Sequence, residues 1–400
     1  MKKLLILGGS RSQIPQIKKA VDMGLYVITC DYLPDNPGHK FSHEYYNVST
    51  IDKEAVFELS RKLKIDGIVC GDFEPNTLTV VYVCEKMGLP THPYKSVEIL
   101  TNKGKYRQFL RENNFNTPQS KFYYEIKDAM KDIDSFKLPV FIKPVDSSGS
   151  RGVTIIQNID DLKKQAEHAL SFSRTGGFVI EERVKTNGYQ IDADGFSVNG
   201  KLVFRDFSNQ HLDSSLINPF VPTGISFPCD KPIQIQDKIH GEIQRLLTLL
   251  KMQTGPYNFE IMVDDDENVY LMEISPRHGG SFIPEVIAYA TGVDMVRYNI
   301  KDSIGIDCSG LIMKENNGFW STCNVHSRRK GILKNIWLDK ELKENNIIDF
   351  EMFYEPGEKI DAFTGLDKTL GKIIMKYDTM EEMLKKMDNI EKWVRVIIEE

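Results

Sequence analysis

The 400-residue sequence predicts an α/β protein of two or three domains, with a parallel-sheet unit first and a strand-rich α+β region after it. Three observations carry this reading. Short apolar runs alternate with helical stretches as far as about residue 90. A Pro-bearing connection at 89–94 then leads into a segment of different pattern. Later, two period-two runs flank a polar turn at 265–268.

Apolar runs at 4–7, 26–30 and 67–70 alternate with helical patterns at 14–23, 54–63 and 78–87. The order βαβαβα implies a parallel sheet with right-handed crossovers. Gly8, Gly9 and Ser10 after the first run suit an anion at a helix N-terminus, but the absence of a full GxGxxG argues against a dinucleotide. Asp31, ending the second run, suits either a ligand hydroxyl or a turn or cap. Residues 96–114 read as one helix with Lys103 in its first half. Strands at 138–143, 153–156 and 178–182 with a helix at 160–171 then form a compact insert of the kind that serves as a mobile lid. An amphipathic helix at 233–250 precedes the hairpin, and beyond about 310 the pattern is mixed α/β, with strands near 319–325 and 371–375.

Composition narrows the class. With 41% hydrophobic and 27% charged residues the chain reads as a soluble globular protein, and its net charge of −6 argues against a nucleic-acid binder while allowing local basic pockets for small anions. The apolar run at 4–7 is too short for a signal peptide, and no segment is long enough to span a bilayer, so no membrane partner is expected. Six cysteines without CxxC or metal-ligand spacing point to a reducing, cytoplasmic setting.

The hairpin at 256–281 carries the most chemistry. Pairing Asp264 with Val269 around a four-residue loop sets Glu260 opposite Glu273 and Asn258 opposite Ser275. Facing carboxylates repel unless a cation lies between them, and hard oxygen ligands suit Mg²⁺, which also takes substrate phosphates; a solvated acidic face is the alternative. The small-residue loop DSSGSRG, with Ser147, Ser148, Gly149, Ser150, Arg151 and Gly152, follows a strand ending at Lys143 and Pro144. Its backbone suits close approach to a polyphosphate whose charge Lys143 and Arg151 offset, or it is a flexible turn. The run FVIEERV places Glu181 and Val184 where a strand edge suits an adenine, or where a core strand simply ends.

In this order the pieces resemble the ATP-grasp superfamily over roughly residues 1–310. The resemblance implies a Rossmann-like pre-ATP-grasp domain at 1–95, an ATP-grasp fold at 96–310 with a mobile lid at about 118–188, and a C-terminal mixed α/β subdomain at 311–400. It implies that Lys103, Lys143 and the 147–152 loop hold ATP phosphates, that Glu181 and Val184 contact adenine, and that Gln190 takes the usually acidic ribose position. Glu260 and Glu273 match the metal carboxylates, for one or two Mg²⁺ ions with Mn²⁺ as an allowed substitute. Arg277 matches the arginine of the family's E-x-N-P-R run. Ser275 departs from that run, standing where an asparagine usually helps hold a second metal.

The activity that the resemblance implies is that of a ligase, which activates a small-molecule carboxylate as an acylphosphate and joins it to an amine or other nucleophile, with Arg277 and Lys143 as catalytic groups. A bicarbonate-activating carboxylase of the same superfamily and a non-catalytic nucleotide-binding regulatory protein are the alternatives. A homo-oligomer is allowed for. His278 and the glycines after it either contact a substrate carboxylate or cap a helix; Asn258, Arg205 and His211 are further pocket candidates.

Overall fold

Strands β1 (Lys3–Leu7), β2 (Tyr26–Asp31), β3 (Glu44–Asn47) and β4 (Gly67–Cys70) form a parallel sheet in the order β3-β2-β1-β4 in the computed structural model, which describes residues 1–147, 149–186 and 188–399. Helices α1 (Ile14–Asp22), α2 (Lys53–Leu63) and α3 (Pro75–Met87) complete the βαβ units. The pattern reading missed β3 because this edge strand reads EYYN and is only half-buried, so it has no apolar run. Helix α3 starts at Pro75, which leaves Glu74 at its N-cap, immediately beyond the carboxyl end of β4.

The single helix expected at 96–114 is two, α4 (Tyr94–Leu100) and α5 (Lys103–Glu112). Asn102 causes the break: its side chain accepts a hydrogen bond from the Lys105 N–H at 3.0 Å, capping α5. Lys103 thereby becomes the first residue of a helix.

The insert is an antiparallel sheet of β5 (Ser120–Tyr123), β6 (Val140–Pro144), β7 (Thr154–Ile156) and β8 (Phe178–Glu182), in the order β5-β8-β6-β7. One face packs Val140, Ile142, Phe178 and Ile180 against Ala129 of α6 (Ile126–Asp132) and Leu162 and Ala166 of α7 (Leu162–Phe172). Strand alternation puts Lys143 and Glu181 on the other face.

The largest element is an eight-stranded antiparallel sheet. Its strands are β9 (Ile191–Val198), β10 (Lys201–Leu212), β11 (Pro222–Phe227), β12 (Gly255–Val263), β13 (Val269–Ser275), β14 (Phe319–Val325), and, after β15 (Gly331–Leu338), β16 (Ile347–Met352) and, after β17 (Lys359–Ile360), β18 (Gly371–Tyr377). They run β13-β12-β9-β10-β11-β14-β18-β16, while β15 and β17 form a small separate sheet with β19 (Val394–Glu399). Three strands from beyond residue 311 therefore extend the sheet that carries the acidic hairpin. On one face, Ile239, Ile243 and Leu246 of α8 (Ile233–Leu249) bury Ile191, Ala193, Tyr257, Phe259, Ile261, Leu271 and Ile274. The opposite face carries the alternate residues, many of them polar. No helix among the described residues is long and apolar enough to cross a membrane.

Phe259 is fully buried between α8 and the sheet. Phe259→Ala is expected to cost about 3–5 kcal/mol of stability, read as a lowered urea midpoint with unchanged slope.

Candidate active site

The hairpin has the expected opposition but reaches it by a different path. Glu260 lies opposite Glu273 and Asn258 opposite Ser275, yet the turn pairs Val263, not Asp264, with Val269. The loop is one residue longer because Asp264 turns in to accept the N–H groups of Asp266 and Asn268 at 3.0 and 2.8 Å. A bulge at Met272 restores the register: Ile261 pairs with Leu271, and the next pair is Glu260 with Glu273. Helix α5 holds the bulge, since Arg107 Nη1 donates to the Met272 carbonyl at 2.8 Å and the Tyr106 hydroxyl to the Leu271 carbonyl at 3.1 Å.

On the other side of β12, Asp192 of β9 pairs with Glu260. Three acids thus stand side by side on one sheet face. Burial, then Glu273 and Asp192, push the Glu260 carboxyl up to about 8. Burial likewise pushes Asp192 up to about 7, although Asn258 Nδ2 donates to it at 2.8 Å. Glu273 behaves oppositely: burial opposes its charge, but Lys103 at 2.7 Å, with Arg277 and Lys143, holds it below the usual carboxylate range. Burial opposes the Lys103 charge as well, but Glu273, with Glu74 and Glu260, raises its ammonium above the usual lysine range.

A second array lies where the insert meets α5. The Glu181 carboxylate receives Lys143 Nζ at 2.6 Å on one oxygen and Arg107 Nε at 2.5 Å on the other. Burial alone would raise its pKa; the two cations hold it at about 2. Its side chain is therefore committed to two cations, and the free strand edge expected for an adenine at this position is absent, because β8 lies between β5 and β6 and Glu181 pairs with Ser120 on one side and Phe141 on the other. Val184 lies half-buried beyond the end of β8.

The small-residue loop joins the arrays. Lys103 Nζ donates to the Ser147 carbonyl at 3.1 Å, and Ser150 Oγ to the Phe220 carbonyl at 2.9 Å. Arg151 lies 6.0 Å from the ring centre of Phe73, on the loop after β4. Gly152, at φ +73°, sits where a Cβ would come within 2.8 Å of the Pro144 ring. Ser148 lies outside the described residues.

After β13 the chain stays irregular to Phe282, and α9 (Ile283–Thr291) begins later than the PRHGG run suggested. Arg277 Nη1 donates to the His278 carbonyl at 2.8 Å and to Asn258 Oδ1 at 3.3 Å. The Gly279 N–H reaches both oxygens of fully buried Asp194, at 2.9 and 3.0 Å. Only glycine allows that approach, because a Cβ there would meet Asp194 Oδ1 at 2.7 Å.

With this geometry in place, comparison with known proteins is informative. A family model described as the ATP-grasp domain matches residues 136–285. This segment is an ATP-grasp domain. The chain is similar over 326 residues, at 24% identity, to the carbamoyl phosphate synthase large chain of Pseudothermotoga lettingae, covering 80% of this chain but 28% of that protein. It is 25% identical over 284 residues to the formate-dependent phosphoribosylglycinamide formyltransferase of Histophilus somni, covering 69% of each. Among solved structures, the L-amino acid ligase of Bacillus licheniformis superposes with a TM-score of 0.83 at 19% identity, over 100% of this chain and 99% of that one. The phosphoribosylglycinamide synthetase of Anaerococcus prevotii superposes at 0.77 and 21% identity over the whole of both chains.

The ATP-grasp segment contains Lys143, the 147–152 loop, Glu181, Gln190, Glu260, Glu273, Ser275 and Arg277. Lys103, outside it, reaches in through its bond to Glu273. Gln190 points its amide at Glu260 Oε2, 3.4 Å away. Two weaker candidates do not join the site. Arg205 turns toward α8, 3.2 Å from Asp237, and His211 is held between Asp388 and Ser226 at 2.9 Å each. Sequence reading missed Arg107, Asp192, Asp194 and Glu74. For Arg107 a signal existed, since it follows Lys103 by four residues on one helix face.

No three His, Cys, Asp or Glu side chains among the described residues are arranged to hold a metal ion. The facing pair Glu260 and Glu273 nevertheless fits Mg²⁺, which commonly binds one or two carboxylates and fills its remaining positions with phosphate oxygens and water. The raised pKa of Glu260 marks where positive charge would be favoured.

Without a divalent cation, folded Glu260 keeps its proton up to about pH 8, whereas its unfolded value is near 4.5. The folded state binds more protons in that window, so stability falls as pH rises from about 5 to 8. Glu260→Gln is expected to lessen this slope by up to about 1.4 kcal/mol per pH unit. Mg²⁺ at pH 8 is expected to raise the melting temperature of the parent protein but not of the variant. Parallel melting curves against pH in EDTA would refute the assignment.

Proposed function

We propose that the chain is an ATP-dependent ligase that phosphorylates a small-molecule carboxylate and transfers the acyl group to an amine. The observation that carries this reading is the convergence of Glu260 and Glu273, facing each other beside Lys103, with the array of Lys143 and Glu181 from the insert and Arg107 from α5. The fold shared with ligases that superpose along the whole chain supports it.

In this reading a carboxylate oxygen attacks the γ-phosphorus of ATP, the bond to ADP breaks, and an acylphosphate forms. The amine then attacks the acyl carbon, inorganic phosphate leaves, and the amine loses its proton. Lys103 and Lys143 offset phosphate charge, and Arg277 stabilises the negative charge on the reacting carboxyl group. Arg107 is a positioning residue: it fixes Glu181, which fixes Lys143, and it holds the bulge that aims Glu273. Glu260 and Glu273 would hold Mg²⁺, which would supply charge neutralisation for the polyphosphate. Ser275, a short neutral ligand with a buried and unpartnered hydroxyl, favours one firmly held ion with any second taken through water; Mn²⁺ suits the same oxygens. Closure of the lid over the loop excludes water from the acylphosphate.

The test is ADP and phosphate release with pooled carboxylic acids and amines, with product mass read afterwards. Glu273→Gln is expected to lower turnover on the order of 10²-fold or more, as for loss of other transition-state charge partners. Full turnover in that variant would sink the proposed centre. Arg107→Met is expected to raise the KM for ATP and to lower kcat together, because it frees Lys143 and the bulge at once. A change confined to melting temperature would show Arg107 to be structural only.

A further inference from the structure

The insert joins the rest of the chain through two passages, one leading into β5 and one leading from β8 to β9. The first is pinned to the large sheet and to α8. Asn116 Nδ2 donates to the Val269 carbonyl at 3.3 Å, and Arg245 Nη2 donates to the Asn113 and Asn114 carbonyls at 2.5 and 3.0 Å. The second ends in Gly188, Tyr189 and Gln190, and it is Gln190 whose amide lies 3.4 Å from Glu260. What pins this passage comes from the far end of the chain.

Asp388 stands at the C-terminus of the helix Met380–Met387. Its Oδ2 accepts the Tyr189 hydroxyl at 2.6 Å, and its Oδ1 takes His211 Nδ1 at 2.9 Å. Burial opposes the Asp388 charge, yet His211 and Tyr189 hold its carboxyl below the usual carboxylate range. On the far side of the imidazole, His211 Nε2 lies 2.9 Å from Ser226 Oγ. Serine, histidine and aspartate in this order share the contacts of a hydrolytic triad, but Ser226 is fully buried and no substrate reaches it. The array therefore serves as a brace. Bonds at both nitrogens fix the His211 ring, which lies 5.1 Å from the Tyr189 ring.

The brace continues past Ser226. Asn209 Nδ2 donates to Ser226 Oγ at 3.1 Å, and Asn209 Oδ1 accepts the Asp230 N–H at 2.9 Å. A Cβ placed on Gly188 would lie 3.2 Å from Asp230 Oδ2, so the network meets the passage twice, at Tyr189 through Asp388 and at Gly188 through Asp230. The backbone adds a third contact, from the Gln210 N–H to the Gln190 carbonyl at 2.9 Å.

We infer that Asp388 and His211 are positioning residues for the nucleotide: through Tyr189 they hold the passage from the insert to the large sheet, and with it Gln190 beside Glu260. The inference rests on the ATP-dependent reading and adds a part for the C-terminal region in nucleotide binding. A passage released into several arrangements binds more weakly, in proportion to the fraction that remains competent.

The experiment is calorimetric titration of the full chain with ADP and Mg²⁺, well below the melting temperature. Tyr189→Phe removes one hydroxyl, and Asp388→Ala truncates a side chain that is 44% exposed. Each is expected to weaken ADP binding about three- to tenfold, the lower end for a hydrogen bond to a charged group because Asp388 is half-exposed. The double variant is expected to bind no more weakly than Asp388→Ala alone, since both changes remove the same bond. Unchanged affinity in Tyr189→Phe, a fall in melting temperature alone, or losses that multiply in the double variant would overturn the brace. A parent protein that binds ADP while the variants match it removes only the brace; a parent that binds no ADP removes the ATP-dependent reading and the brace with it.

Discussion

Three carboxylates, Asp192, Glu260 and Glu273, are forced side by side on the face of three adjacent strands and shielded from water, and the rest of the centre is organised around that repulsion. One of the three is held charged by Lys103, and burial with the neighbouring acids raises the pKa of the other two. Such an arrangement stores electrostatic demand for positive charge in a fixed place. It tolerates no rearrangement, because each acid is set by a strand whose other face is locked against α8. Function and core are thus the two sides of the same alternation.

Helix α5 connects what would otherwise be independent parts. Its first residue reaches Glu273 and the Ser147 carbonyl, and one turn later Arg107 joins Glu181 of the insert to the Met272 carbonyl of the large sheet. All of this depends on Asn102, whose cap decides where the helix begins. A buried guanidinium paired with a buried carboxylate gives little net stability. Its value here is geometric, since one side chain fixes the carboxylate that holds Lys143 and also a sheet bulge.

How much of this was legible in the sequence varies by region. The acidic hairpin was readable because its buried face is strictly apolar at Tyr257, Phe259 and Ile261 while Glu260 and Glu273 fall on the alternate face. Its loop length was not, because a bulge is invisible to period-two counting. Strands β9, β10 and β11 were missed for a related reason. Their site-side positions hold Asp192, Asp194, Asp206, Ser208 and Thr223, so a segment that is almost wholly buried reads as polar. The lysines and the glycine loop were found through an ordered resemblance, whereas Glu74 had none to betray it: its place in the site exists only once α3 is docked against the hairpin.

The eight-stranded sheet also has a consequence for how the chain can be divided. Strand β14 pairs along β11, and β18 and β16 continue outward from it. A protein cut near residue 310 would leave β11 with a bare row of backbone N–H and C=O groups, an invitation to pair with a neighbouring chain. The last ninety residues therefore serve the site's sheet by closing an edge, besides packing a core of their own around Leu333, Leu342 and Met383.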